Sequence, residues 1–332
     1  MHWSHPLALL ALAACAGPAL ERYSFQEPHM GTEFRLVLYA PDPERAAAAA
    51  RAAFARVAEL DARLSDYRPD SEVGRLAEEG QRTPPPIEAR ISPDLARVLG
   101  RALEIAELTG GAFDPTLGPC TRLWRRSARQ RELPAPERLA TARAACGLDK
   151  LTLLSNHPEG PILRLDAAGM RLDLGGIAKG DALDQALAVL RKHGIDRALV
   201  DGGGDLAASG PPPDRSGWTA AWEAFGAGTL GLAHAALATS GDRYQSITIG
   251  GVRYSHILGP DTGLGLTRRI AATVLAPDGA TADALASALC VLGPERGIEL
   301  VESLAGVEAR IATPEQAWLS SGFPRPDLSA KR

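Results

Sequence analysis

The sequence predicts an α+β fold of mixed, largely antiparallel sheets with flanking helices. Three observations lead there. Short alternating or β-branched segments are interleaved with runs of helical apolar period. Gly250-Gly251 separates Ser246-Ile247-Thr248-Ile249 from Val252-Arg253-Tyr254-Ser255, a two-residue hairpin turn that makes its strands antiparallel. The one stretch that formally fits a dinucleotide fingerprint, Gly202, Gly204 and Ala207, runs into Gly210-Pro211-Pro212-Pro213, where no long helix can follow. A doubly wound parallel sheet is therefore not expected.

Taken in order, residues 33–40 alternate as a strand. Pro43 opens a helix rich in Ala and Arg that runs to about Leu64. Ser92-Pro93 gives an N-cap and a first-turn proline for a helix to Thr109, and Gly110-Gly111 ends it. The basic, Pro-punctuated residues 122–136 read as a surface connection, and residues 136–145 as a short helix. Leu151-Thr152-Leu153-Leu154, residues 162–166 and residues 170–174 read as strands. Residues 178–193 are a helix with Ala182, Leu183, Ala186, Leu187 and Leu190 as its apolar stripe. Residues 198–203 form a strand and turn. Strand-like pieces follow at 218–222 and 229–239, then the hairpin and the strand 269–276. Two helices near 281–292 and 294–304, a strand at 307–313 and a tail from Pro324 complete the chain.

The length of 332 residues suits one large domain or two closely fused ones. With 45% hydrophobic and 23% charged residues, a real core forms and wholesale disorder is excluded. A net charge of −4 with no long basic block argues against nucleic-acid binding. Residues 1–15 are an apolar run too short to span a bilayer, ending in Leu12-Ala13-Ala14-Cys15. They read as a secretory signal with a lipobox, Cys15 being the lipidated residue. Cys120, Cys146 and Cys290 cannot all pair within one chain and show no C-x-x-C spacing, so they read as small apolar residues.

Asp173-Leu174-Gly175-Gly176-Ile177-Ala178-Lys179-Gly180 has the look of an anion-binding turn into a helix, but it is no Walker loop, and Asp173 would oppose a bare phosphate. A plain strand-to-helix turn remains the alternative. Thr281 reads as the N-cap of the helix that follows it. Asp283 and Ser287 stand four residues apart on one face of that helix and offer hard oxygens suited to Mg²⁺; alone, Asp283 reads as an exposed first-turn aspartate. In residues 110–119, Asp114-Pro115 and Gly118-Pro119 fix a loop on which Phe113 can stack on a ring and Asp114 can accept N–H bonds. His256, at a strand end before a loop, is a candidate general base or a surface histidine.

Together these segments resemble the ApbE family, the bacterial FAD:protein FMN transferases. The resemblance rests on Met30-Gly31-Thr32, LSDYRPDSEVGRL (64–76), GGAFDPTLGP (110–119), DLGGIAKG (173–180), LVDGGGD (199–205), ATSGD (238–242), HILGPDTG (256–263) and TADALASAL (281–289), in the family's order. It implies residues 1–15 as a lipoprotein signal peptide and 16–332 as a flavin-transferase domain, with a division into two intertwined α/β subdomains left open. It implies Mg²⁺-dependent transfer of FMN from FAD to a threonine of a target flavoprotein, with release of AMP. Met30, Tyr67, Ala112, Phe113, Asp114, Asp173, Lys179 and Ile257 then map to FAD-contacting positions. Gly176 (through its carbonyl), Asp283 and Ser287 map to the metal, and His256 to the histidine near the reacting phosphate.

The implied acceptor is a threonine-bearing subunit of a membrane redox complex. The implied location is the exported side of the cell envelope, lipid-anchored. A Mg²⁺-dependent FAD pyrophosphatase and a non-enzymatic FAD-binding lipoprotein stay open as alternatives. Three positions depart from the family pattern: Ser287 replaces threonine, Ala286 stands where some relatives have a further acidic ligand, and Gly259 replaces an acidic residue.

Overall fold

A computed structural model describes residues 19–241 and 246–324. The signal segment with Cys15, and the tail from residue 325, lie outside the described residues. The chain begins with β1 (Glu21–His29) and β2 (Thr32–Ala40), followed by α1 (Pro43–Leu64), α2 (Glu72–Arg82), β3 (Ile87–Arg90) and α3 (Pro93–Leu108). Next come α4 (Gly118–Gln130), α5 (Pro136–Ala144), β4 (Leu151–Leu154), β5 (Ile162–Leu165) and α6 (Ala178–Lys192). The second half holds β6 (Ala198–Gly202), β7 (Asp205–Ala208), β8 (Trp218–Glu223), β9 (Ala227–Leu232), β10 (Ala235–Gly241), β11 (Ser246–Ile249), β12 (Val252–Ser255) and β13 (Ala271–Ala276). It ends with α7 (Gly279–Leu292), α8 (Pro294–Glu302), β14 (Glu308–Ala312) and β15 (Ala317–Leu319).

The main sheet has the order β1-β2-β6-β7-β10-β13-β14-β15, and every pairing in it is antiparallel. Smaller antiparallel units are β3-β5-β4, β8-β9 and β11-β12. The expected α+β class with antiparallel sheets is what forms. Alternation on β2 explains the layering. Phe34, Leu36, Leu38 and Ala40 are fully buried against α1 and α6, while Val37 turns to the other face and packs with Trp218, Leu206 and Leu237. Half of the buried face of α1 is alanine (Ala46, Ala49, Ala50, Ala53), with Phe54, Val57, Leu60 and Leu64, so α1 and α6 lie close together.

Small residues bring α6 still closer to α7. A Cβ on Gly180 would lie 2.0 Å from the Gly279 carbonyl oxygen, and one on Gly279 would lie 2.4 Å from the Gly180 oxygen. Asp184 of α6 seals this junction: its carboxylate accepts the N–H of Gly279 at 2.7 Å and of Ala280 at 3.0 Å. Those are two of the unpaired donors at the start of α7. Asp278 caps α7 by accepting the Thr281 N–H at 2.7 Å, so Asp278 and not Thr281 is the N-cap. Thr281 instead gives its own hydroxyl to the same carboxylate.

Three further segments differ from the sequence reading. Residues 118–130 are a helix, not a connection. The buried stripe of α4 is Cys120, Thr121, Trp124 and Ser127, which has helical spacing but too little hydrophobicity to stand out from five arginines in residues 122–131. Residues 170–174 alternate as expected, with Met170, Leu172 and Leu174 buried, but form no strand. The segment 229–239 is split between β9 and β10 by a turn in which His234 has φ 51°.

The α6–α7 contact predicts the cost of adding one methyl group. Gly180→Ala should lower the unfolding free energy by about 3 kcal/mol, because backbone rather than a side-chain tip must move. Gly194→Ala, where a Cβ meets nothing within 4 Å, tests the method against a strained but open site. Denaturant unfolding that found Gly180→Ala as stable as wild type would contradict the close approach.

Candidate active site

The short α6–α7 approach has a chemical consequence. Lys179, in the first turn of α6, reaches Asp283 in the second turn of α7. Its Nζ lies 3.2 Å and 3.3 Å from the two Asp283 oxygens and 2.5 Å from Oδ2 of Asp205, at the start of β7. Asp283 is 2% exposed and also accepts the Gly180 N–H at 3.2 Å, so it is not the exposed first-turn aspartate that its position alone suggests. Asp205 is buried too and accepts the Thr239 N–H at 3.3 Å. Two carboxylates thus face one ammonium. Burial works against the Lys179 charge, but Asp283 and Asp205 outweigh it and hold the ammonium protonated above its ordinary range. Burial pushes the Asp283 carboxyl up to about 6, with Lys179 pulling against it and Asp205 adding to it. With all three ionised the group carries one excess negative charge.

Beside this group runs a cleft of about 1110 Å³, larger than the roughly 300–1,000 Å³ typical of small-molecule sites. Met30, Tyr67, Ala112, Phe113, Asp114 and Asp173 line it, as do Gly176, Lys179, His256, Ile257, Asp283 and Ser287. The cleft therefore gathers all twelve of the catalytic, FAD-contacting and metal positions that the resemblance implies, from segments up to 257 residues apart. Met30 sits in the β1–β2 turn at φ 49°, which places it at the cleft rim. Gly176 leaves little room for a side chain: a Cβ there would lie 3.2 Å from the Phe113 ring and 3.3 Å from Oγ of Ser287. Ser287 Oγ shares a hydrogen bond of 3.0 Å with Ser240 Oγ. Ala286 is wholly buried in the core.

Asp173 is engaged by the turn itself. One of its oxygens accepts the Thr121 hydroxyl at 2.6 Å and the other accepts the Gly175 N–H at 3.0 Å, so its carboxylate closes the turn that it introduces. Asp114 is tied through one oxygen, Oδ1, which accepts both the N–H and the hydroxyl of Thr116 at 2.7 Å and 2.6 Å. Burial pushes Asp114 up, against the Thr116 bonds and with help from Asp173. Asp66 is likewise raised, first by burial and then by Asp173, although Arg125 pairs with it at 2.5 Å. The Arg125 guanidinium lies 3.8 Å from the centre of the Tyr67 ring, which is 74% exposed.

His256 is exposed just beyond β12. Its neighbours hold it in register: the Ser255 N–H donates to the Leu266 carbonyl at 2.7 Å, and the Leu266 N–H donates to the Ile257 carbonyl at 2.8 Å. Gly259 begins a closed loop, its carbonyl accepting the Gly263 N–H at 2.8 Å. Sequence reasoning did not single out Asp205, Asp66, Arg125 or Ser240. Asp205, Asp66 and Ser240 lie inside quoted motifs, so those motifs held the signal. Arg125 carried none beyond its place in a basic run.

The charge group predicts a pH-dependent loss. Because folding raises the Asp283 pKa above its unfolded value of about 4, the folded state loses stability as pH rises from about 4 through about 6. Lys179→Ala removes the ammonium that pairs with both buried carboxylates, which should cost about 3 kcal/mol at pH 8. The cost should shrink at pH 5, where a proton on one carboxyl takes the place of the ammonium. An equal deficit at both pH values in denaturant titrations would contradict this arrangement.

The chain is similar to known proteins over most of its length. The family model described as "ApbE family" matches residues 30–311. A FAD:protein FMN transferase of Haemophilus influenzae is 34% identical over 74% of this chain and 72% of its own length. One from Vibrio cholerae is 33% identical over 91% of both chains. Among solved structures, the apo form of Pseudomonas stutzeri flavinyl transferase ApbE superposes with a TM-score of 0.80 at 29% identity, covering 92% of this chain and 96% of that one. The flavin transferase ApbE from Vibrio cholerae gives 0.80 at 30% identity, covering 92% and 99%. With most of its length matched in sequence and in fold, this chain belongs to the ApbE family.

Proposed function

We infer that this protein is an FAD:protein FMN transferase that moves the FMN half of FAD onto a threonine hydroxyl of an acceptor flavoprotein and releases AMP. The observation that carries the reading is the single cleft that brings His256, the Gly175-Gly176 turn and the Lys179–Asp205–Asp283 group to one ligand-sized space. A diphosphate needs charge neutralisation and alignment more than covalent help.

The residues present suit Mg²⁺. Asp283 offers a carboxylate, Ser287 a hydroxyl and Gly176 a backbone carbonyl, all hard oxygens. The group around Lys179 has one negative charge to spare. Among the described residues no cluster of three His, Cys, Asp or Glu side chains gathers, so the substrate's own phosphate oxygens would complete the coordination. Bound there, Mg²⁺ would offset diphosphate charge as it moves onto the departing AMP. Lys179 holds Asp283 in place, and the absence of a side chain at Gly176 lets the backbone approach. Met30, Ala112, Phe113, Tyr67 and Ile257 provide apolar and aromatic surface for the flavin, and Asp114 and Asp173 fix its loops.

In the reaction, the neutral imidazole of His256 accepts the threonine proton. The threonine oxygen bonds to the phosphorus on the FMN side, and the bond from that phosphorus to the bridging oxygen breaks. AMP leaves with the electron pair. The exposure of His256 suits it to meet a hydroxyl that arrives on another protein.

We also propose that Cys15 is lipidated and holds the enzyme to the membrane on the exported side, near acceptor subunits of membrane redox complexes. Among the described residues no helix is long and apolar enough to cross a membrane.

His256→Ala separates chemistry from binding. It should leave FAD affinity close to wild type and slow covalent flavin transfer by roughly 10²–10⁴-fold. The assay follows in-gel flavin fluorescence on a threonine-bearing acceptor with FAD and Mg²⁺. Near-wild-type transfer would remove His256 from the chemistry. Free FMN and AMP with no label on the acceptor would replace transfer by hydrolysis.

A further inference from the structure

Apart from the main core, a small apolar cluster of Cys120, Trp124, Ile249 and Leu258, joined by Cys146 and Tyr254, lies beneath the segment that bears His256. It ties α4 to the β11-β12 hairpin, with the Trp124 and Tyr254 ring centres 5.3 Å apart. Within it the Cys120 and Cys146 sulfurs stand 3.7 Å apart, both as free thiols. Cys120 is 1% exposed, whereas Cys146 is partly open to solvent.

Both cysteines adjoin residues that shape the cleft. Cys120 precedes Thr121, whose hydroxyl holds Asp173. Cys146 precedes Gly147, whose N–H donates to the Thr116 hydroxyl oxygen at 2.8 Å, and Thr116 in turn holds Asp114. The loop after Leu258 closes over Cys120, leaving only 2.9 Å between its sulfur and a Cβ placed on Gly263.

We propose that Cys120 and Cys146 are a modification site that forms a disulfide by exchange with a disulfide-bearing oxidant. The bond fixes the ends of the α4–α5 hairpin and, through their shared cluster, the segment that carries His256. Cys146, the more open sulfur, attacks first as its thiolate. Its bond with one oxidant sulfur forms while the oxidant's S–S bond breaks, releasing one thiol. Cys120 then loses its proton and attacks the Cys146 sulfur, and the oxidant's second thiol leaves. Two electrons and two protons pass from the pair to the oxidant. The Cys120 hydrogen bond, with help from Lys150, draws the Cys146 thiol below its ordinary value, while that bond and burial push Cys120 up; this favours Cys146 as the attacking sulfur. Closing 3.7 Å to a bond of about 2.05 Å is within the reach of side-chain rotation.

The test uses the whole chain, reduced and then treated with oxidised glutathione. Peptide mapping by mass spectrometry should find residues 120 and 146 in one cross-linked species, 2 Da lighter than the reduced pair, with Cys290 outside it. Crosslinking should raise Tm by about 5 °C through the closed loop, and dithiothreitol should reverse the gain. Neither Cys120→Ser nor Cys146→Ser should show the gain. The wild-type mapping stands even if a variant does not fold, and none of these readouts depends on flavin transfer. Persistent free thiols at both positions, or stable glutathione adducts at Cys146 without the intramolecular bond, would overturn the proposal.

Discussion

Two glycines set the geometry on which the site depends. Gly180 and Gly279 let the backbones of α6 and α7 touch, and Asp184 locks the contact by taking two N–H groups from the start of α7. Only at that separation does Lys179 reach Asp283 across the junction while also pairing with Asp205 from the sheet. The ammonium is then shared between two carboxylates, and the balance of charge stays negative. In a poorly solvated place that imbalance is costly, and a cation bound there would relieve it.

The rest of the cleft is assembled from turns rather than from regular elements. Asp173 and Asp114 accept bonds from nearby N–H and O–H groups, which tie each loop in place. Tyr67 stays exposed beneath the Arg125 guanidinium, and His256 is set between backbone bonds to Leu266. Preorganisation of this kind suits a reaction in which alignment is the main requirement.

Much of this was legible in the sequence, and the gaps have physical causes. The ends of α1 and α3 follow from N-cap residues and prolines, and the extent of α6 from its apolar period, all of which act locally. The hairpin follows from Gly250-Gly251. The helix α4 was missed because its buried stripe holds Cys120, Thr121 and Ser127, which mark a face only when something packs on it. The motifs named every member of the proposed metal set; Asp205 lay inside one of them without being singled out, because its importance comes from a lysine 26 positions earlier that only the fold brings near. Asp283 looked exposed because first-turn carboxylates usually are, and the close α6–α7 contact reverses that. The Cys120–Cys146 neighbourhood was equally invisible, since it depends on how α4 and α5 fold back on each other.

The central claim is that Asp283 and Ser287, beside the Lys179–Asp205 pair, hold the divalent cation that serves the FAD diphosphate. Crystals grown with FAD and Mn²⁺ in place of Mg²⁺ test it most directly through the anomalous signal of manganese. The account predicts one manganese peak in contact with the Asp283 carboxylate, the Ser287 hydroxyl and the Gly176 carbonyl, with diphosphate oxygens completing its shell. A manganese site elsewhere in the cleft, or FAD bound in order with no metal at Asp283, would contradict it.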